Sequence, residues 1–435
     1  MGNALLDTPG AAWRAAGRHY RNVERELARH APTRALVAAP RTAKVVGETL
    51  VRKIGADEPG LPVPRISPAF AAQVAIDEAI LAIAMGPNAF PTRADYHRVG
   101  RELTDAGELF ATRGWLDDPA SYHRLPPDLT EPAFKKGWAL GQSYERLLFP
   151  SGWSPRTEEP GAERWAGYEA NRTASAVVLR HPGAPRPWVV AVHGFACGSA
   201  FMDFIGLHAM RMHRELGVNV ALPVMPLHGA RKISRISGES FLSFDLMNTV
   251  HGLSQGVWDV RRLLSWVRQQ DAPAIGLYGV SLGAYMVSLL AGLDPNLDAV
   301  VAGIPVVDFP ELIQSHSPTN IRLRAIEHRI LGGNAEAVHR VVSPLSFAPL
   351  VPHERRFIYG GLGDRLARPT QAHRLWAHWD EPEIYWYGGN HVGYLWSGGV
   401  PEFVMTSMRS AGIVGEEADG DAQAEPEPLA QVADL

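Results

Sequence analysis

Residues 274–292 read AIGLYGVSLGAYMVSLLAG: a short apolar run, then Gly279-Val280-Ser281-Leu282-Gly283, then a longer apolar run. A side chain at the tip of a sharp strand-to-helix turn sits in strained backbone angles, and neighbours without a β-carbon let the two elements approach closely enough to make that turn. The stretch therefore predicts a strand over AIGLY, a helix over AYMVSLLAGL and a presented Ser281 hydroxyl between them. The G-x-S-x-G pattern is weak alone, because a chain with 42 glycines can produce it by accident. A tight turn without chemistry is the plainer reading, and only partners elsewhere in the chain can displace it.

Composition narrows the classes of function. With 46% hydrophobic and 20% charged residues over 435 positions, the chain has the make-up of a soluble globular protein. The net charge of -4 is concentrated: residues 416–435 carry seven acidic residues and no Lys or Arg, leaving about +3 on the rest. A nearly neutral body gives no reason to expect nucleic acid as a partner. The single cysteine, Cys197, excludes an intrachain disulfide and any multi-cysteine metal site, and fits a reducing compartment. The start MGNALLDTPGAAWR lacks the basic flank and apolar stretch of a secretory signal, so a cytoplasmic location is expected. Residues 68–85 are the most apolar helix candidate, yet they are too few and include Asp77 and Glu78, so no membrane span is expected. There is no H-E-x-x-H, no Walker or dinucleotide phosphate loop, and His208 and His213 are five apart, on different helical faces. No metal or cofactor is expected.

The chain changes grammar near residue 130. Before it the periodicity is helical: Trp13, Ala16, Tyr20, Val23 and Leu27 form one stripe, Ser67-Pro68 and Gly86-Pro87 punctuate a second helix, and a third runs from about Thr92 to Thr112. In the second helix only Gln73, Asp77 and Glu78 interrupt the apolar surface, which predicts burial. Prolines 119, 126, 127 and 132 then break regular structure. Beyond them short β-branched runs alternate with helical patterns, the grammar of a parallel sheet covered by helices. The runs are 175–180, 187–194, 218–223, 274–279, 298–304, 356–361 and 383–389. Residues 254–270 read as a helix packed on that sheet, with Val257, Val260, Leu264 and Val267 on one face. Three regions follow: helical 1–130, catalytic 131–415, and an acidic tail 416–435 expected to be disordered.

Partners for Ser281 occur in a suggestive order. The strand WVVAVHG ends in His193-Gly194-Phe195, where the Phe195 N–H can face a developing oxyanion, and the elbow itself supplies the N–H of Leu282. A serine needs a base, and the base needs a carboxylate to fix its tautomer. FIYGGLGDRLARP places Asp364 after one strand, and EIYWYGGNHVGYLW places His391 after the next, 27 residues on. The ordered set HGF, G-V-S-L-G, G-L-G-D-R and G-G-N-H resembles the α/β-hydrolase superfamily over residues 140–412, nearest its esterase and dienelactone-hydrolase-like members. The resemblance implies an α/β fold with a mostly parallel eight-stranded sheet flanked by helices, here with an N-terminal helical extension, and a triad carried by Ser281, Asp364 and His391. Relatives that place aspartate at the nucleophile position, the dehalogenases and epoxide hydrolases, are disfavoured by Ser281.

Each residue also has a plainer alternative. Asp308 in GIPVVDFPEL competes with Asp364, because some hydrolases take the acid from the preceding loop. His193 is expected to orient the oxyanion turn, His228 to be structural, and Cys197 to be a small buried thiol. The reading is a serine hydrolase acting on a small-molecule acyl ester through an acyl-enzyme. Thioesterase, lactonase, amidase and acyltransferase chemistry share every residue. An idle scaffold on the same fold is the alternative of another class. The helices before residue 125 are expected to pack near the C-terminal ends of the strands and limit access to Ser281, with a sheet-edge or homodimer contact as the plainer role.

Overall fold

The structure, a computed structural model, describes residues 61–84, 91–317 and 319–414. The amphipathic stripe at residues 13–27 and the acidic tail lie outside the described residues.

The chain forms two antiparallel strands first, β1 (Ala133–Ala139) and β2 (Gln142–Pro150), then β3 (Thr173–Leu179), β4 (Trp188–Val192), β5 (Asn219–Pro223), β6 (Ile275–Val280), β7 (Ala299–Gly303), β8 (Arg356–Gly361) and β9 (Glu383–Tyr387). They make one sheet in the order β1-β2-β3-β5-β4-β6-β7-β8-β9. All seven predicted runs are strands. The sheet of the described residues nonetheless has nine strands rather than the expected eight, because the chain leads in with the β1–β2 hairpin. Its two-residue turn uses Leu140 and Gly141 at φ 51° and 79°, the left-handed pair that matches the twist of a tight hairpin. β3 then runs antiparallel to β5, while β5, β4, β6, β7, β8 and β9 are mutually parallel.

Alternate residues of the central strands enter separate cores. Trp188, Val190, Ile275, Leu277, Val300 and Ala302 face one cluster, and Val189, Ala191, Tyr278, Val280, Ala299 and Val301 the other. This period of two, buried on both sides, is what a covered parallel sheet requires. Strand order reverses at β4, whose neighbours are β5 on one side and β6 on the other. The C-terminal ends of β4 and β6 therefore flank the crevice in which open α/β sheets bind ligands.

Among the described residues, the α-helices α1 (Pro68–Ala84) and α2 (Arg93–Thr112) precede the sheet. α2 starts with a reciprocal capping box between Thr92 and Asp95, which satisfies two end amides of the helix. Its inner face, Tyr96, Val99, Leu103, Ala106 and Phe110, belongs to the same core cluster as Val257 and Leu264 of α3 (Leu246–Arg268). Where α2 meets the body, Glu102 accepts both Arg98 and Arg164, and each arginine also reaches Asp245. α3 begins eight residues before the predicted start, capped by Asp245, because its first two turns are buried and lack the polar outer face that marks an amphipathic helix. α4 (Leu282–Ala291) and α5 (Gly399–Ser410) cover opposite faces of the sheet. No described helix is long and apolar enough to cross a membrane.

Because Leu103 is fully enclosed in the shared core, Leu103→Ala should lower the unfolding free energy by about 2–5 kcal/mol in urea denaturation. A loss under about 1 kcal/mol would mean that α2 lies on the surface of the body instead of contributing to its core.

Candidate active site

β6 ends at Val280 and α4 begins at Leu282, so Ser281 alone makes the turn. Its backbone sits at φ 58°, ψ −113°, a region that residues with a β-carbon avoid. Two bonds hold it there: the Ser281 N–H donates to Gly303 O at 2.9 Å, and the Tyr285 N–H donates to Ser281 O at 3.0 Å. A β-carbon on Gly283 would overlap the Val192 carbonyl and lie 2.8 Å from His193 O. On Gly279 it would overlap the Gly283 carbonyl and lie 2.7 Å from Ala284 N. Both glycines are thus sites of backbone contact.

Three side chains from three loops meet at this turn. Asp364 Oδ2 lies 2.7 Å from His391 Nδ1, and His391 Nε2 lies 3.0 Å from Ser281 Oγ. The carboxylate needs a proton on Nδ1, which leaves Nε2 free to accept from the serine hydroxyl. Asp364 is itself fixed, since its Oδ1 accepts the N–H groups of Leu366 and Ala367 at 2.9 and 2.8 Å. Burial alone would push the His391 pKa down, but the charge and hydrogen bond of Asp364, with the charge of Asp77, outweigh it and leave the imidazole more basic than its ordinary 6.5.

The β4 loop closes on the same point. A β-carbon on Gly194 would stand 3.5 Å from Ser281 Cβ, which places the Phe195 peptide beside the elbow. Leu282, as the first residue of α4, has an N–H with no acceptor inside its helix. His193 accepts the Met225 N–H through Nε2 at 3.1 Å, so Nδ1 carries the proton and donates to Gly194 O at 2.8 Å. The ring pins the turn that presents Phe195. His228 is fully buried against His193 and Phe241, and burial lowers its pKa to about 3. Burial pushes the Cys197 thiol up to about 12, far from a thiolate nucleophile. Asp308 is engaged elsewhere: it caps the helix Phe309–His316 through the Glu311 N–H at 2.9 Å and pairs with Arg374 at 3.0 Å.

Helix α1 brings residues to this region that periodicity reads only as interruptions. Asp77 accepts the backbone N–H of His391, and Gln73 that of Asn390, each at 2.9 Å. The available signal was their spacing: polar residues at i and i+4 share one helical face.

No family model matches the chain. Two uncharacterized proteins of Mycobacterium tuberculosis are 40% identical to it over 363 residues, covering 83% of this chain and 87% of each relative. Among solved structures, an acetyl xylan esterase of a Paenibacillus species superposes with a TM-score of 0.46 at 14% identity, over 69% of this chain and 99% of that one. An acetyl xylan esterase of a Thermoanaerobacterium species gives 0.46 at 13%, over 70% and 93%. At this distance neither likeness speaks to substrate. The identity to the mycobacterial proteins does establish kinship: the chain belongs to one family with them.

Proposed function

We propose that the chain is a serine hydrolase that cleaves a carboxylic ester through an acyl-enzyme. The observation that carries this reading is the unbroken line of hydrogen bonds from Asp364 through His391 to Ser281, ending on a serine held in strained backbone. Ser281 Oγ attacks the carbonyl carbon while its proton passes to His391 Nε2. The carbonyl electron pair moves to oxygen, and the oxyanion is met by the N–H groups of Phe195 and Leu282, the latter at the positive end of α4. Collapse expels the alkoxide, which takes the proton from His391. Water then attacks the acyl-enzyme by the same relay, releasing the acid and restoring the Ser281 hydroxyl. Asp364 accepts from Nδ1 and holds the imidazolium that forms twice per turnover.

Thioester or lactone hydrolysis, amide hydrolysis and acyl transfer would use the same atoms, so the leaving group and acceptor are to be read from a panel of acyl esters, thioesters, amides and alcohol acceptors. An idle scaffold would not react with a fluorophosphonate probe, whereas an activated serine would. Ser281→Ala should abolish probe labelling and lower ester turnover by about four orders of magnitude with an unchanged circular dichroism spectrum. Labelling that persists in this variant would remove Ser281 from the chemistry.

The two candidate acids are separable by kinetics. Asp364→Asn should lower kcat by about 10⁴-fold, because asparagine can donate to Nδ1 and stabilise the wrong tautomer. Asp308→Asn should stay within about tenfold of wild type, its bonds being to a helix end and Arg374. The reverse ranking would transfer the acid to Asp308.

The pH profile has a definite sign. Since His391 acts as base only when neutral and its pKa is raised, kcat/KM should climb with pH through a midpoint above 6.5. A flat profile from pH 5 to 8 would exclude histidine as the base.

A further inference from the structure

Helix α1 turns its polar face inward. Asp77 and Glu78 are 0% and 2% exposed, while Ile76, Ile80 and Leu81 on the same helix are only half-buried. Phe70 and Val74 are buried on the same face, so apolar and acidic side chains enter the body together. What the carboxylates meet explains it. Asp77 Oδ2 accepts the Arg365 N–H at 2.9 Å and the His391 N–H at 2.9 Å, and Glu78 Oε1 accepts Arg365 Nε at 3.0 Å. Gln73 Oε1 accepts the Asn390 N–H at 2.9 Å. The amides of residues 365, 366 and 367 thus point at two carboxylates in turn, the first at Asp77 and the next two at Asp364.

One oxygen atom of Asp77 therefore bridges the loop that carries Asp364 and the loop that carries His391. Beyond the β8–β9 ladder, which ends at Gly361 and Tyr387, the two loops share the bonds from Leu362 N–H to Tyr387 O and from Gly363 N–H to Gly389 O, each at 2.9 Å, and Asp77 ties together the residues past them, Arg365 and His391. We propose, building on the hydrolase reading above, that Asp77 is a positioning residue of the active site: supplied by a helix outside the sheet, it sets the distance between acid and base and adds a second negative charge behind the imidazole. Its other oxygen, Oδ1, is buried with no hydrogen-bond partner among the described residues, so the group is not placed there to satisfy its own valences. Burial first, and then the charge of Asp364, raise the Asp77 pKa to about 7, while His391 and the two amide donors pull it down. The charged and titratable groups around it are Glu78 on α1, Asp364 and Arg365 on the β8 loop, Tyr387 and His391 on the β9 side, and His316 from the neighbouring helix, within electrostatic reach of Glu78. Arg365 directs its guanidinium to Glu78, which leaves His391 as the cationic partner that Asp77 can serve.

Two substitutions separate the roles. Asp77→Asn keeps the size and one oxygen acceptor for both amides but removes the charge, whereas Asp77→Ala removes both. With purified full-length protein and a fluorophosphonate probe, labelling rates are measured from pH 5 to 9, and kcat and KM are measured on the best ester. Asp77→Ala should lower kcat and labelling by about 10²-fold with KM within about threefold, the expected effect of a small displacement of base from nucleophile. Asp77→Asn should recover most of that loss. Its labelling midpoint should move toward acid, because removing a negative neighbour makes the imidazolium of His391 less stable. A helix that merely docks would alter amounts of folded protein and leave the midpoint in place. If Asp77→Ala does not fold, the midpoint of Asp77→Asn decides alone. Wild-type kcat and an unmoved midpoint in Asp77→Asn would overturn the proposal even though wild type labels. A wild type that does not label at all would instead overturn the hydrolase reading, and this proposal with it.

Discussion

The rest of the site depends on a contact between backbones. α4 lies so close to β4 and β6 that Gly283 touches the Val192 carbonyl and Gly279 touches the Gly283 carbonyl. That closeness forces Ser281 into its positive φ, a strain on the order of 1–3 kcal/mol. The strain is offset nearby: every residue of α4 is buried, and the Ser281 amide is bonded to the neighbouring strand at Gly303. Larger residues at either glycine would push the helix outward and let the serine relax. The turn then could not meet the Gly194 loop, whose own conformation is set independently by His193.

Ser281 directly follows its strand, whereas Phe195, Asp364 and His391 lie on loops beyond theirs. Such loops have many conformations of similar energy, and the backbone bonds from Leu362 to Tyr387 and from Gly363 to Gly389 narrow them only in part. The remaining order comes from side-chain contacts with the backbone. Asp364 accepts from two amides of its own loop, Tyr387 donates its hydroxyl to Asn390 O, and α1 accepts from Arg365, Asn390 and His391. Contacts of this kind are directional in a way that apolar packing is not, so they fix the position of a loop more closely than packing alone.

The parts of the fold legible in sequence were those in which burial and periodicity agree. β3 to β8 carry apolar runs because the sheet is covered on both faces there, and the elbow declares itself through its glycines. β1 was not legible. AFKKGWA holds Lys135 and Lys136 and is mostly exposed, as an edge strand that discourages further pairing should be. The first two turns of α3 escaped for the opposite reason, being buried all round and so without a polar face to mark a period. At the site, residue types in order were enough to bring Ser281, Asp364, His391 and the Gly194 turn onto one short list. Gln73 and Asp77 were visible as exceptions to an apolar pattern, and their meaning was not, because the groups they bond are backbone amides more than 280 positions away, which no side-chain pattern encodes.

This arrangement also makes the N-terminal helix and the loops mutually dependent. A helix docked by area alone can rotate or slide by a turn at little penalty, whereas one whose buried carboxylates face amides loses those partners on any such movement and leaves charge unsatisfied. α1 therefore fits the body only in one rotation, and only while the amides of Arg365 and His391 converge on one oxygen. By linkage the converse holds: whatever keeps α1 in place stabilises the loop geometry that brings Asp364 to His391, and whatever draws the loops together tightens the hold on α1. Residues of α1, outside the sheet, thus share in the stability of the loops that hold Asp364 beside His391.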